Sequence, residues 1–342
     1  MPPFKKYNFS VLALDKFSPE DICRLRDNIV RIQILVMTDM VCISQLVHLT
    51  YLDASGNNTI TDDVLLHLTK LVTLKLICTP NITDEGLSHC PNLTELDLTG
   101  NSVITNRGLL YLPDLTCLIL QDNSIITDEG LFHLKKLSKL NLFDNINITN
   151  KVLTHFDTLT DLSISDNETF TDESLSIIPY LDKLDLSMNE KITDKGFSYL
   201  HLLVFLSLGH NNMITDEGLS YLPHLRHLDL YHNQDITNKG LSYLPHLRYL
   251  YLYNNQKITD KGFSYLPHLI HLELHNDQNI TGNGLSYLRN LEYLELRHNR
   301  KITDRCLSYF SKETHIRIIG DLASIYNPMR MLEWFARFLG YY

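Results

Sequence analysis

The sequence predicts an α/β repeat, a single stacked array of short strand-and-helix coils in place of two or three globular domains. Three observations carry this. Leucine takes 63 of the 342 positions, an excess that only a pattern explains. Ile-Thr recurs at 60, 82, 104, 126, 148, 192, 214, 236, 258, 280 and 302, and Phe170-Thr171 fills the one gap, so a 22-residue period runs without insertion or deletion. Within each unit the LxxLxL spacing alternates, as a short strand with one buried face requires. One unit cannot bury its own leucines, and stacking neighbours does so.

Counted from Leu49, twelve units end at Lys312, which leaves an N-terminal cap at 1–48 and a C-terminal cap at 313–342. Read from Leu225, a unit is LRHLDLYHNQDITNKGLSYLPH. Columns one and four are Leu in every unit, and column six is Leu except at Ala54 and Ile164, so Leu228 and Leu230 should face inward. Column nine is Asn except at Thr79 and Asp277; a buried stack of amides needs every polar atom bonded, and its task is to satisfy backbone groups the coil leaves unpaired. Thr is invariant in column thirteen and Asp or Asn usually follows (Asp62, Asp216, Asn238), which reads as the N-cap of a short helical segment. Gly in column sixteen, replaced by Val64, Val152, Ser174 and Cys306, allows close approach between coils. Columns seventeen and twenty, mostly Leu or Phe, close the core from the other side.

The twelvefold LxxLxLxxN segment resembles the leucine-rich-repeat family. Its unit length is similar to the 22-residue class of phosphatase regulators, and the ITDxGL half resembles the repeats of F-box leucine-rich-repeat proteins. The resemblance implies a curved leucine-rich-repeat solenoid with a parallel β-sheet on the concave face and short helical turns on the convex face. At a strand spacing of about 4.8 Å, the concave face is on the order of 60 Å long. The Asn-rich, Ile-rich later units also resemble leucine-rich-repeat proteins of amoebae and of the large DNA viruses that infect them.

Both ends need covers. Ser18-Pro19-Glu20-Asp21 opens a helix to about Asp27, with Ile22 and Leu25 toward the first coil, and Val30 and Ile32 fall in columns four and six. At the other end Ile316 and Ile318 take those columns and Asp321 the Asn column. Asn327-Pro328 then opens an amphipathic helix, with Trp334, Phe335 and Phe338 on its apolar stripe, expected as a lid. Residues 12–33 also resemble the later part of an F-box, through the PED-I-C-R-L stretch, although the leading LPxE segment is missing. That resemblance implies a ubiquitin-ligase adaptor as a partner at the N-terminus, and a substrate receptor for a cullin-type ligase.

A net charge of -10, from 30 basic and 40 acidic residues, argues against nucleic acid and anionic membrane as partners, since both need basic surfaces. MPPFKKY is followed by no apolar signal segment, the longest apolar stretch (Tyr199 to Gly209) is too short to span a bilayer, and the six cysteines form no CxxC pair. A monomer in a reducing, cytoplasmic setting is expected. No phosphate-binding loop, GxSxG or HExxH occurs, so neither catalytic residues nor a cofactor are expected. His224, His246 and His268 recur through duplication. His210 and His232 lie about 5 Å apart by strand spacing but lack a third ligand, so no metal is expected.

Columns three, five and seven should face solvent. Early units carry small or mixed residues there, such as Asp161, Ser163 and Ser165. From Phe205 onward the character changes to His227, Asp229, Tyr231; Tyr249, Tyr251, Tyr253; His271, Glu273, His275; and Tyr293, Glu295, Arg297, with His232 beside them. Aromatic side chains bury large areas at modest entropic cost and serve as interface anchors, so these residues are the expected surface for a protein ligand. The alternative is that the late units are recent copies whose rings repeat without serving contact. Tyr199, Tyr221, Tyr243, Tyr265, Tyr287 and Tyr309 recur in column nineteen and read as a surface ladder on the helical side.

Overall fold

In the computed structural model, the described residues are 31–33, 43–277, 279–299, 301–302, 310 and 314–319. The expected N-terminal helix, the F-box-like stretch before Arg31 and the C-terminal helix lie outside them. Fourteen strands form one parallel sheet in chain order, from Arg31–Gln33 to His315–Ile319. Leu228 lies opposite Leu250 and Leu250 opposite Leu272, so each coil advances by one repeat. The first pair differs from the expected register. Ile32 lies opposite Leu52 and not two positions further on, which puts it in column four instead of column six. A shift of two residues preserves the strand's alternation, whereas a shift of one would invert it.

The core is one continuous cluster of the repeat's apolar columns. In the unit from Leu225, Leu225, Leu228, Leu230, Ile236, Leu241 and Leu244 are all essentially inaccessible. Burying each such side chain contributes about 1.5–3 kcal/mol. The helical turns opposite, such as Asp216–Leu219 and Asn238–Ser242, are too short to persist alone, and their stacked partners hold them.

Two side-chain ladders bind coil to coil. In column nine, Asn211 Nδ2 donates to the carbonyls of Leu186 (3.1 Å) and Asn189 (2.8 Å), and its Oδ1 accepts from the N–H groups of Met213 and Ile214 (both 3.0 Å). Asn101, Asn123 and Asn189 repeat the pattern. The amide thus satisfies one coil's backbone from the next.

The second ladder joins columns thirteen and fourteen. Thr215 Oγ1 accepts from Glu217 N–H, the expected cap, while its own N–H and hydroxyl donate to Asp194 of the preceding coil at 2.9 and 2.6 Å. Column-sixteen glycine makes room for that carboxylate. A Cβ on Gly108 would stand 2.5 Å from Asp84 Oδ1. Where Val152 replaces Gly, the turn is a 3-10 helix over Asn150–His155, and where Ser174 does so, its own hydroxyl accepts from Thr171 N–H.

Column eight holds a left-handed backbone in all twelve coils. Gly56 and Gly100 supply it at no steric cost, and elsewhere non-glycine residues take φ between 48° and 59°, among them Met188, His210, His232 and His298. Such a residue costs about 1–2 kcal/mol, less for Asn or Asp. The array compensates through the column-eight N–H, which bonds to the next coil, as His232 does to the Tyr253 carbonyl at 2.8 Å. Among the described residues, no helix is long and apolar enough to cross a membrane.

Candidate protein-interaction surface

The concave sheet changes along its length. Strands from Tyr51–Asp53 to Phe205–Ser207 have three residues, and those from His227–Tyr231 onward have five. The longer strands coincide with the Tyr- and His-rich units, whose rings suit a pleated, half-buried surface.

Column three brings Phe205, His227, Tyr249, His271 and Tyr293 into one line, which His315 extends. His227 stacks on Tyr249 at 4.1 Å and 5°, and His271 on Tyr293 at 4.3 Å and 6°. Wider contacts of 5.4–5.8 Å join the pairs and the two ends. In column seven Tyr231 stacks on Tyr253 at 4.5 Å, and Tyr253 meets His275 edge-on. His232 stacks on His210 at 4.7 Å. In column five, Tyr251 lies beside the His271 ring at 5.3 Å. Because stacked rings turn their faces to one another, the solvent meets their edges, which carry the Tyr hydroxyls and imidazole nitrogens.

Most of these rings are half-buried by their neighbours, whereas His210 and His315 are exposed. Two of the expected contact residues lie deeper, His275 at 8% and Glu295 at 3% exposure. Glu295 accepts from Tyr293 Oη at 2.9 Å and from Arg297 Nε at 2.5 Å, and Arg317 Nη1 lies 3.4 Å away. Burial alone would raise its pKa; the His275 imidazole 3.4 Å away, the Tyr293 hydrogen bond and the Arg297 charge bring it down to about 2. Glu273 bonds His271 at 3.2 Å. Glu273, His275 and Glu295 bring potential metal-ligand atoms within 4.8 Å of one another, but the guanidiniums on Glu295 already answer its charge.

Asp229 has a structural role. It accepts from Tyr231 N–H at 2.9 Å, as Asp97 does from Thr99 and Asp185 from Ser187 in earlier coils. Burial, reinforced by Asp185 and Glu273, raises its pKa to about 7. Burial and the nearby cations Lys183, Arg226 and Arg248 push His227 down to about 4, so it is neutral near pH 7. Burial likewise lowers His210 and His232.

Column two holds residues that the periodicity did not single out: Arg226 and Arg248 follow one another at the edge of the ring ladder, and with His246 and His268 they line a groove of about 540 Å³. Consecutive Arg in a single column was the available signal. In column nineteen, Tyr199 and Tyr287 are exposed on the helical side, and Tyr221 packs against the core.

Known proteins share this pattern. Leucine Rich repeats, in a two-copy form, match residues 223–265, and a single Leucine Rich repeat matches 89–113, 111–134, 179–200, 199–222 and 287–311. No curated protein matches the chain. An internalin (inlF) from Listeria monocytogenes is 24% identical over 89% of this chain and 83% of that one, with a TM-score of 0.52. The functional domain of InlJ from the same species, which includes a cysteine ladder, is 21% identical over 90% and 66% of the two chains, with a TM-score of 0.50. At these identities the likeness is one of fold. Repeat matches, coil register and sheet topology together make the chain a leucine-rich-repeat solenoid.

Proposed function

We propose that this chain is a non-enzymatic scaffold that holds a protein ligand on its concave face, over the coils from Phe205 to Arg297. The observation that carries the reading is the continuous ring ladder in column three, flanked by Tyr231, Tyr251 and Tyr253. Leucine-rich-repeat proteins generally act as protein-interaction scaffolds, which supports it. Stacking fixes the rings before a ligand arrives, so little side-chain entropy remains to be lost on binding. Glu295 and His275 support Tyr293 and Tyr253 from below, while Tyr249, Tyr251, Tyr253, His227, His271 and Arg297 meet the ligand. A photo-crosslinking amino acid at position 251 should join the chain to its partner, whereas one at position 287, on the helical side, should not. Cross-linking from 287 alone would overturn the reading.

A second reading adds a destination. The PED-I-C-R-L stretch within residues 12–33, combined with ITDxGL repeats, favours an F-box-like substrate receptor whose N-terminus binds the adaptor of a cullin-type ubiquitin ligase. Recovery of the adaptor with the full chain, and its loss when residues 1–28 are removed, is the expected result. Equal recovery by both would sink this reading.

A further inference from the structure

The groove beside the ring ladder concentrates positive charge in a chain that is acidic overall. Arg248 N–H donates to the Arg226 carbonyl at 2.9 Å, so the two arginines leave the sheet at strand spacing, about 4.8 Å. Both residues are exposed, and among the described residues no carboxylate lies within ion-pair distance of either, although Arg226 influences the Asp182 carboxylate two coils back. His246 and His268, also exposed, stand alongside with their rings 6.3 Å apart at 15°. Glu292 closes the far end. Two like charges leaving neighbouring strands raise the positive potential of the groove and favour an anion there.

The donor set selects the anion. Two planar guanidinium forks and two imidazole edges offer more N–H groups than the two oxygens of a carboxylate can accept. A phosphate monoester supplies three oxygens and nearly two charges. The groove of about 540 Å³ is also far larger than a bare phosphate, which leaves room for the chain that carries it. It opens beside His227 and Tyr249, whose column-three positions directly follow Arg226 and Arg248. We propose that this groove binds the phosphate of a phosphorylated side chain on the protein ligand; the source of the phosphate rests on the scaffold reading above, and the site itself does not.

The test uses the full chain and fluorescence anisotropy with a labelled short peptide bearing one phosphoserine, its unphosphorylated twin and its glutamate twin. Saturable binding of the phosphoserine peptide alone is expected, weakened about tenfold or more in R226A/R248A, whose melting temperature should match the parent's. Absence of saturable binding, equal binding of either twin, or binding indifferent to R226A/R248A would overturn the proposal. The variant Y249A/Y251A/Y253A separates the two claims, because it should retain the phosphopeptide even if the concave face holds no ligand.

Discussion

Asp216 receives both the backbone N–H and the hydroxyl of Thr237, twenty-one residues on, at 2.8 and 2.7 Å. Gly240 leaves the space in which that carboxylate sits, since a Cβ there would collide with Asp216 Oδ1. Gly240→Ala should therefore crowd the Asp216–Thr237 clasp and distort its turn, as Val152 does where the Asp128–Thr149 clasp persists over a 3-10 helix, and destabilise the chain by about 1–3 kcal/mol. Chemical denaturation measures this. Because the loss acts through Asp216, Asp216→Ala with Gly240→Ala should be less destabilised than the sum of the single changes. Strict additivity would show that Gly240 acts otherwise.

Asn211→Ala is expected to be among the most damaging single changes in the array. It strips partners from the Asn189 carbonyl and from two N–H groups, each worth about 1–3 kcal/mol when left unsatisfied, while the Leu186 carbonyl keeps the Asn189 N–H. Urea melts should show a loss of several kcal/mol. A change within experimental error would mean that water enters the column.

Asp229 makes stability depend on pH. Its folded pKa of about 7 exceeds the ordinary carboxylate value, so between about pH 4 and 7 the folded chain holds a proton that the unfolded chain has released. Its contribution to stability falls as pH rises through that window and stays low above it. Asp229→Asn keeps an acceptor for Tyr231 N–H and removes the charge. The variant should melt above the parent at pH 8, and the gap should close toward pH 4. A gap independent of pH would contradict the assignment.

His227 works in the opposite direction. Burial and three nearby cations hold its folded pKa near 4, so its contribution to stability is full above its ordinary value of about 6.5 and is lost as pH falls toward 4. Proton NMR of its C2–H should show no titration between pH 8 and 6. A midpoint near 6.5 would place the ring in solvent.

The fold was legible because leucine-rich coils repeat their constraints. Leu49 to Leu296 recur at fixed spacing, and burial follows the columns one by one. Contacts between coils were harder to see. Thr237 reads as a local cap, and only stacking shows that Asp216 of the coil before reaches it. Column eight was hidden for another reason, since Met188 and His232 do not announce a left-handed backbone as Gly56 does. At the N-terminus, Ile32 follows a shorter spacing that no internal repeat could reveal. The ring ladder was visible as composition, but its stacking, and the depth of Glu295 and His275, depend on side-chain orientation that periodicity leaves open.

Affinity for the partner recovered by cross-linking at position 251, compared by calorimetry between the parent chain and Y249A/Y251A/Y253A, tests the scaffold reading most directly. Removing three central anchors should weaken binding by at least about a hundredfold, with circular dichroism unchanged. An unaltered Kd in a folded variant would show that the ring ladder is not the ligand surface.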